Sequence, residues 1–292
     1  MQARGDPRLE AAIGAVEAWR GRDIGVTPMQ ADDDERRFLV EANDEMYMLR
    51  ISSAAGTRTA MSLAGEVEML RAAAAAGVAP EVIAFIPQLG CLVTRPAPGR
   101  RLAPSDAADP GVLASVVGSI RALHACPLPD VERSVVRDAE ELRRAALARG
   151  AAMPRTEPDA TEAMHGIDAA IDERGHRRVS CHGNLALANL FLDDERVLIV
   201  EYRGAGAGDP FEDLGSVASH LALSDEQNDT LLTLYFGAVD DDARCDLVMA
   251  RIATDYLTAM RILARPTVVT HMQTVEARLA RVAAAAAEVG VT

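Results

Sequence analysis

The feature that most constrains the fold of this chain is the stretch 179–214, VSCHGNLALANLFLDDERVLIVEYRGAGAGDPFEDL. It places two polar clusters and a glycine-rich turn between short apolar runs. Polar side chains flank the strand-like run 197–200 on both sides, and they are His182, Asn184, Asn189 and Glu201. Binding and catalytic residues concentrate on loops that a rigid scaffold holds in place. The stretch therefore indicates an active-site loop.

The order of these groups resembles a known pattern, H-x-D-x-x-x-x-N, an apolar strand, and then I-D-[WF]-E-Y-x-G-x-x-D-P-x-x-D-L. The chain has HGNLALAN at 182–189, VEYR at 200–203 and GAGDPFEDL at 206–214. The pattern belongs to the choline and ethanolamine kinase branch of the aminoglycoside phosphotransferase superfamily, which shares the protein-kinase architecture. The resemblance runs from about residue 8 to about residue 265. It implies a two-lobe α+β fold with a small antiparallel sheet lobe and a larger helical lobe.

Three positions depart from the family pattern. The family's catalytic Asp matches Asn184, which can orient a substrate hydroxyl but cannot accept its proton, a contribution worth about 10² to 10⁴ in rate. Its metal-binding Asp matches Glu201, which is one methylene longer, and Mg²⁺ tolerates distorted geometry poorly. An acidic position matches Arg203, whose charge disfavours a quaternary ammonium such as choline. Few aromatic side chains are present to surround such a cation.

The resemblance also assigns positions for the nucleotide. Arg50 matches the basic residue of the third strand that contacts phosphates, and Glu66 matches the helix acid that pairs with it. Glu68 competes as that partner, and a surface ion pair is the alternative interpretation. Val93 and Thr94, at the end of the fifth predicted strand, are assigned to cofactor binding.

Asn189 and Glu201 are the candidate metal ligands, and an asparagine that only caps the turn is the alternative for Asn189. Asn184 and His182 are the candidate catalytic residues, although for His182 we favour a structural role that holds the turn by hydrogen bonds. Asp213 is expected to cap the following helix and anchor the loop.

The segment between the first two strands contains no glycine where the family has a Gly-rich turn that approaches phosphates. It is acidic instead, with Asp32, Asp33, Asp34 and Glu35 in succession. These charges would repel phosphate if they faced the site. The simpler interpretation is a solvated acidic turn.

Apolar periodicity by itself predicts a mixed α and β protein. A helical stripe over 8–19 precedes the β-prone runs 24–29, 37–42 and 46–51, with a hairpin-like turn at 42–45. A helix over 60–76 ends at a glycine, and the runs 82–86 and 91–94 complete five strands. Strands interrupt the later helical pattern only at 190–202. The predicted helices there are 110–125, 138–149, 160–174, 213–223, 225–236, 242–263 and 271–288.

The segment RPAPGRRLAP at 95–104 predicts a hinge, because prolines and glycine break regular structure. The predicted division is a sheet lobe with one packed helix at 1–95 and a helical lobe at 96–292, which carries the catalytic-type loop. At 292 residues the chain is long enough for this arrangement around a large core.

Composition excludes some classes of partner. The net charge is −14, all 30 basic residues are arginine, and hydrophobic residues make up 49% of the chain. Nucleic acid and anionic membranes are therefore not expected partners. The four cysteines lack metal-site or disulfide spacing, and no leader or membrane-spanning run is visible, so a cytoplasmic protein is expected.

These observations lead to one preferred function and one alternative. The preferred function is that of a pseudokinase, a kinase-fold relative of small-molecule phosphotransferases with a degraded catalytic centre and a binding or regulatory role. Its partner would be a small-molecule ligand or a protein. The alternative is an active ATP-dependent kinase that phosphorylates a hydroxyl of a small metabolite. ATP and Mg²⁺ are the expected cofactors if the protein is active, and the absence of any cofactor is the alternative.

Overall fold

The structure is a computed structural model and describes residues 6–29, 35–52, 62–265 and 271–288. An antiparallel sheet forms its N-terminal part, with five strands in the order β1-β2-β3-β5-β4. These strands are β1 (Ile24–Met29), β2 (Glu35–Ala42), β3 (Glu45–Ser52), β4 (Val82–Ile86) and β5 (Cys91–Thr94). The predicted bounds of β1, β4 and β5 are confirmed.

A tight turn joins β2 to β3 and fixes how the two strands pair. Asn43 and Asp44 both have positive φ, 50° and 66°, which is the backbone shape of two-residue hairpin turns. The resulting register places Arg37 directly opposite Arg50. Two arginines facing each other on neighbouring strands repel unless acids lie close to both.

Two helices pack on opposite faces of this sheet. On one face, α1 (Pro7–Ala15) and Trp19 share a buried cluster with Val93. On the other face, α2 (Leu63–Ala75) shares a different buried cluster with Leu92. Alternating residues of β5 therefore point to different cores, as the two-residue period of a strand requires.

Helices dominate after residue 104. They are α3 (Pro110–His124), α4 (Val135–Ala148), α5 (Glu157–Arg174), α6 (Pro210–His220), α7 (Asp225–Phe236), α8 (Asp241–Leu263) and α9 (Met272–Glu288). The buried residues of α8 lie in both core clusters of this part of the molecule, with Leu247 in one and Tyr256 in the other. Among the described residues, no helix is long and apolar enough to cross a membrane.

The prediction that strands interrupt the helices only at 190–202 is wrong. The strands β8 (Leu190–Asp193) and β9 (Arg196–Ile199) lie there, but β7 (Val179–Cys181) and β10 (Gly206–Gly208) lie outside that segment and were missed. The strand β6 (Arg100–Arg101), within the segment predicted as a hinge, was missed as well. Each missed strand has two or three residues, too few for an alternating pattern. β6 pairs with β8, and β7 pairs with β10.

The predicted start of α6 is also wrong. The helix begins at Pro210, and its N-cap is Asp209, whose carboxylate accepts a hydrogen bond of 2.8 Å from Phe211 N. Proline is well suited to a first helical position because its missing N–H would have no partner there. Asp213 therefore lies within the first turn of the helix and does not cap it.

The architecture confirms the predicted fold class, a small antiparallel sheet and a larger helical part. The last strand of the sheet ends at Thr94. The division at residue 95 remains a prediction about domain organisation.

Candidate active site

A cavity of about 500 Å³ lies between the sheet and the segment 188–202. Its apolar walls include Met48, Leu70, Leu92, Phe191 and Val200. Its polar end is formed by Arg37, Arg50, Glu66, Asn189 and Glu201. Four predicted site residues, Arg50, Glu66, Asn189 and Glu201, thus meet in one cavity. Thr94 lines it as well.

Three predicted site residues have side chains outside this cavity, and they are Val93, Asn184 and His182. Val93 is fully buried in the cluster on the α1 face of the sheet. Asn184 lies on the same loop as Asn189, and its backbone oxygen accepts a hydrogen bond of 2.9 Å from Asn189 Nδ2. Asn184 thus contacts the cavity residue Asn189 through its backbone oxygen, not through its side chain.

Arg50 and Glu66 form the predicted ion pair, with Nη2 of Arg50 2.7 Å from Oε1 of Glu66. The two side chains are only 10% and 6% exposed, so each charge depends on its partner for stabilisation. Burial favours a lower pKa for Arg50, yet the carboxylates of Glu66, Glu201 and Glu35 raise it above its ordinary value. Arg50 therefore stays charged, and Glu66 is its partner.

Glu201 is surrounded by arginines. Its Oε2 lies 2.7 Å from Arg37 Nη2, 3.5 Å from Arg203 Nη2 and 3.9 Å from Arg50 Nη1. The residue adopts φ 70° and ψ 65°, a left-handed conformation that is uncommon outside glycine and concentrates at functional sites. The loop thus holds the Glu201 carboxylate among guanidinium groups.

Glu35 supplies a third carboxylate to the same group of charges. It is 4% exposed, pairs with Arg37, and lies 3.3 Å from Arg203 and 3.7 Å from Arg50. The expectation that Glu35 belongs to a solvated turn is therefore wrong. Asp32, Asp33 and Asp34 lie outside the described residues.

We call these six side chains the charge cluster: Arg37, Arg50, Arg203, Glu35, Glu66 and Glu201. Its formal charges cancel, because it contains as many arginines as glutamates. The guanidinium groups are engaged by carboxylates of the protein itself. Its arginines are therefore compensated within the protein, whereas the cations of phosphoryl-transfer sites neutralise phosphate charge.

Asn184 is held by an arginine from α8. Arg261 Nη1 donates to Asn184 Oδ1 at 2.7 Å, and Arg261 Nη2 donates to Gly183 O at 3.0 Å. The amide oxygen at the position of the family's catalytic Asp is therefore engaged by the protein. An amide also cannot act as a general base.

Asp213 anchors the loop that carries His182 and Gly183. Its carboxylate is fully buried and accepts hydrogen bonds from His182 N at 2.7 Å, Gly183 N at 2.8 Å and His124 Nε2 at 3.1 Å. Burial would raise the pKa of Asp213, but the bond from His124 and nearby positive charges lower it to about 2. Asp213 is thus an ionised support for the loop, as the anchor interpretation expected.

His182 is also part of this support. Its ring is fully buried, Nε2 lies 2.9 Å from Val200 O, and Nδ1 accepts from Asn184 N at 3.3 Å. Burial lowers the pKa of His182, so the ring is neutral and both nitrogens are used. This geometry favours the structural role over proton transfer.

The glycines of the loop make room for a buried arginine. A Cβ on Gly183 would lie 2.5 Å from Arg133 Cζ, and one on Gly208 would lie 3.0 Å from Arg133 Cγ. Arg133 itself pairs with Glu212 and with Asp138. The glycine-rich turn therefore packs around a buried ion pair.

The predicted metal ligands do not fit Mg²⁺ as they are arranged. Mg²⁺ needs near-octahedral oxygen ligands at about 2.1 Å, but a guanidinium nitrogen lies 2.7 Å from Glu201 Oε2. Among the described residues, one other group could supply metal ligand atoms, namely His124, Cys181 and Asp213. Both oxygens of Asp213 already accept backbone N–H bonds, so this group supports the loop.

Sequence reasoning missed Arg37 and Arg261. The hairpin register gave a signal for Arg37, since the turn at 43–44 sets it opposite Arg50. For Arg261 the sequence offers no local signal, because the residue lies 77 positions from Asn184. Only the packing of α8 against the loop brings the two side chains together.

Comparison with known proteins agrees with this fold. The family described as "Phosphotransferase enzyme family" matches residues 25–248. Among curated proteins, no sequence matches the chain.

Solved structures with similar folds include three small-molecule kinases. A choline/ethanolamine kinase family protein from Mesorhizobium loti is 23% identical, with a TM-score of 0.77, over 95% of this chain and 93% of its own. Choline kinase LicA from Streptococcus pneumoniae is 13% identical, with a TM-score of 0.76, over 96% of this chain and 99% of its own. Spectinomycin phosphotransferase APH(9)-Ia, in complex with ADP and spectinomycin, is 10% identical, with a TM-score of 0.68, over 97% and 98%.

Proposed function

Because the chain belongs to the phosphotransferase enzyme family, we propose that it is a pseudokinase, which binds a ligand in the cleft between its lobes without transferring a phosphoryl group. The observation that carries this proposal is the position of Glu201, whose carboxylate lies 2.7 Å from Arg37 and 3.5 Å from Arg203. In the family the matching acid is a metal ligand. Here arginines take the place of the metal ion.

A second observation supports the same function. The residue matching the catalytic base is Asn184, and its Oδ1 is engaged by Arg261 at 2.7 Å. Phosphoryl transfer depends on positioned metal ions and on a group that orients the nucleophile. Both positions are occupied by internal hydrogen bonds or ion pairs.

The cavity itself remains suitable for a ligand. Its volume of about 500 Å³ falls in the range of about 300–1,000 Å³ typical of small-molecule sites. Relatives of the same fold bind AMP or ADP, as in LicA with AMP and in spectinomycin phosphotransferase with ADP. We propose that an adenine nucleotide or a molecule of similar shape enters this cavity, without Mg²⁺.

The test of the pseudokinase function is nucleotide consumption by the wild-type protein with ATP and Mg²⁺ against a panel of amino alcohols and sugars. No consumption above buffer is expected. Robust turnover would overturn the proposal if the Asn189→Ala variant abolishes it, because the activity would then come from this site.

The test of ligand binding uses AMP as the probe. Ala188 is exposed and lines the cavity, so Ala188→Trp should fill the space and weaken AMP binding at least tenfold. Leu128→Trp is the matched control, since Leu128 is 56% exposed and does not line the cavity. AMP binding that is unchanged by Ala188→Trp would show that the nucleotide does not occupy this cavity.

One observation favours the alternative, an active ATP-dependent kinase for a small metabolite. The Arg50–Glu66 ion pair is formed at 2.7 Å, as active members of kinase-like folds require of the equivalent pair. A ligand that displaced Arg37 from Glu201 would restore a free carboxylate at the metal position. The turnover assay separates this alternative from the proposed function.

A further inference from the structure

Arg261 lies beside Asn184, the residue at the position that matches the family's catalytic Asp. It belongs to α8 and reaches the loop with two hydrogen bonds, to Asn184 Oδ1 and to Gly183 O. The residue is partly exposed, so a ligand can reach it from solvent. Both of its acceptors are neutral oxygens.

The positive charge of Arg261 is not compensated locally. Within the described parts of the chain, no carboxylate oxygen forms an ion pair with it at 4.0 Å or less. The arginines of the charge cluster differ in this respect, since each of them pairs with at least one glutamate.

The electrostatic surroundings agree with this picture. Burial and the positive charges of Arg133, Arg265 and Arg203 lower the pKa of Arg261 to about 10, and Asp138 opposes them. At neutral pH the guanidinium group is still protonated. An anionic ligand bound beside Arg261 would therefore relieve repulsion among these arginines.

The identity of residue 184 decides the charge at this point. A carboxylate here would form an ion pair with Arg261 and cancel its charge, whereas the amide leaves the charge in place. Asn184 Oδ1 faces Arg261, so its Nδ2 is directed elsewhere and remains a donor. The loop thus places a cation against the same side-chain amide whose nitrogen is available as a donor.

We propose that Arg261 and Asn184 form a binding subsite for an oxyanion beside the cavity, on the same loop that supplies Asn189 to it, so that a ligand held there carries a carboxylate or a phosphate group. A guanidinium group binds either oxyanion with paired N–H bonds. The inference rests on the proposed function, since it describes the ligand of the same site. It excludes cationic amino alcohols from the subsite, because their ammonium group would meet Arg261.

The experiment titrates wild-type protein, labelled with ¹⁵N, with inorganic phosphate and separately with acetate. The signals followed are the Arg261 Nε–H and the Asn184 side-chain amide. We expect at least one anion to shift both signals and saturate at millimolar concentration. Phosphate saturation identifies a phosphoryl group on the ligand, and acetate saturation identifies a carboxylate.

Variants make the assignment specific. Arg261→Gln should weaken anion binding at least tenfold, while Arg261→Lys keeps the charge and should retain binding within a few fold. Arg244→Gln is the matched control, because Arg244 is exposed and pairs with Asp229 and Asp241, and it should leave binding unchanged. Circular dichroism of each variant confirms that it is folded.

The subsite is overturned if neither anion shifts the two signals in wild type, or if folded Arg261→Gln binds as well as wild type. These results are independent of the turnover assay. ATP turnover by wild type overturns the pseudokinase function even when anions bind at Arg261. Conversely, failure of the anion test would not affect the ion pairs around Glu201 or the argument that they exclude Mg²⁺.

Discussion

Arg37 Nη2 lies 2.7 Å from Glu201 Oε2, although the two residues are 164 positions apart in the chain. The contact joins the second strand of the sheet to the loop that follows β9. It therefore connects the sheet to this loop and engages the carboxylate at the position that matches the family's metal-binding Asp. Strand β2 thus contributes Arg37, which pairs with the carboxylate of the loop residue Glu201.

Replacing Glu201 by glutamine should destabilise the protein. The change removes one negative charge next to Arg37 and Arg203, and since Glu201 is 22% exposed the cost should be about 1–3 kcal/mol. Urea unfolding measures it. Glu132→Gln is the control, because Glu132 is 64% exposed and 3.9 Å from Arg178, and it should cost less than about 0.5 kcal/mol. Equal effects of the two changes would show that Glu201 is not held by the cluster.

Asn184→Asp should stabilise the protein without producing turnover. The new carboxylate would pair with Arg261, and a hydrogen bond to a charged group is stronger than one between neutral partners by about 1 kcal/mol. The same pairing would keep the pKa of the new carboxyl low and make it a poor base. Unfolding in urea and an ATP consumption assay check both parts. Robust turnover by this single variant would show that the metal position is already competent.

Asp213→Asn should be strongly destabilising, by about 3–5 kcal/mol, because two backbone amides and His124 then face a neutral amide in a fully buried site. Asp229→Asn is the control, with a 41% exposed carboxylate paired to Arg244, and should destabilise the protein far less, because solvent screens an exposed ion pair. Thermal unfolding compares them. A small effect at Asp213 would mean that the loop does not depend on this anchor.

The lowered pKa of Asp213 makes its contribution to the stability of the folded protein depend on pH. Because the folded pKa is lowered to about 2, the unfolded state binds a proton first as pH falls. The stabilisation is therefore complete above about pH 4 and is lost as pH falls toward 2.

The partly buried His220 ring should make the stability of the protein depend on pH in a second, milder range. Burial, followed by the charges of Arg278 and Arg261, lowers its pKa to about 4. The folded state thus resists protonation, and stability should fall by up to about 3 kcal/mol as pH drops from about 6.5 to about 4. Urea unfolding across this range should show a flatter profile for His220→Gln. His165→Gln, at an exposed position, should keep the wild-type profile, and an unchanged profile in His220→Gln would contradict the prediction.

Much of the fold could be predicted because its elements are long enough to show a period. The strands β1, β4 and β5 and the helix α7 have their predicted bounds. The short strands β6, β7 and β10 could not be predicted, since pairing across the chain defines them and two or three residues carry no pattern. Asp209 replaced Asp213 as the cap of α6 because proline at the first helical position sets the start.

The candidate site was predicted in part. Motif spacing placed Arg50, Glu66, Asn189 and Glu201, which meet in one cavity. The partners of Glu201 and Asn184 were not foreseen, because Arg37 and Arg261 come from β2 and α8 and depend on tertiary packing. Those partners contact the two residues that match the family's metal-binding and catalytic acids.

The most direct test of this account is the effect of Mg²⁺ on the thermal stability of wild-type protein in millimolar ADP, compared with ADP and EDTA. Ligand stabilisation follows RT ln(1 + [L]/Kd), so a metal that binds Glu201 together with the nucleotide must add to it. With Arg37 and Arg203 on the carboxylate, the account predicts melting temperatures that agree within about 1 °C. A rise of about 4 °C or more that requires Mg²⁺ would contradict it, because the metal would then be displacing the arginines.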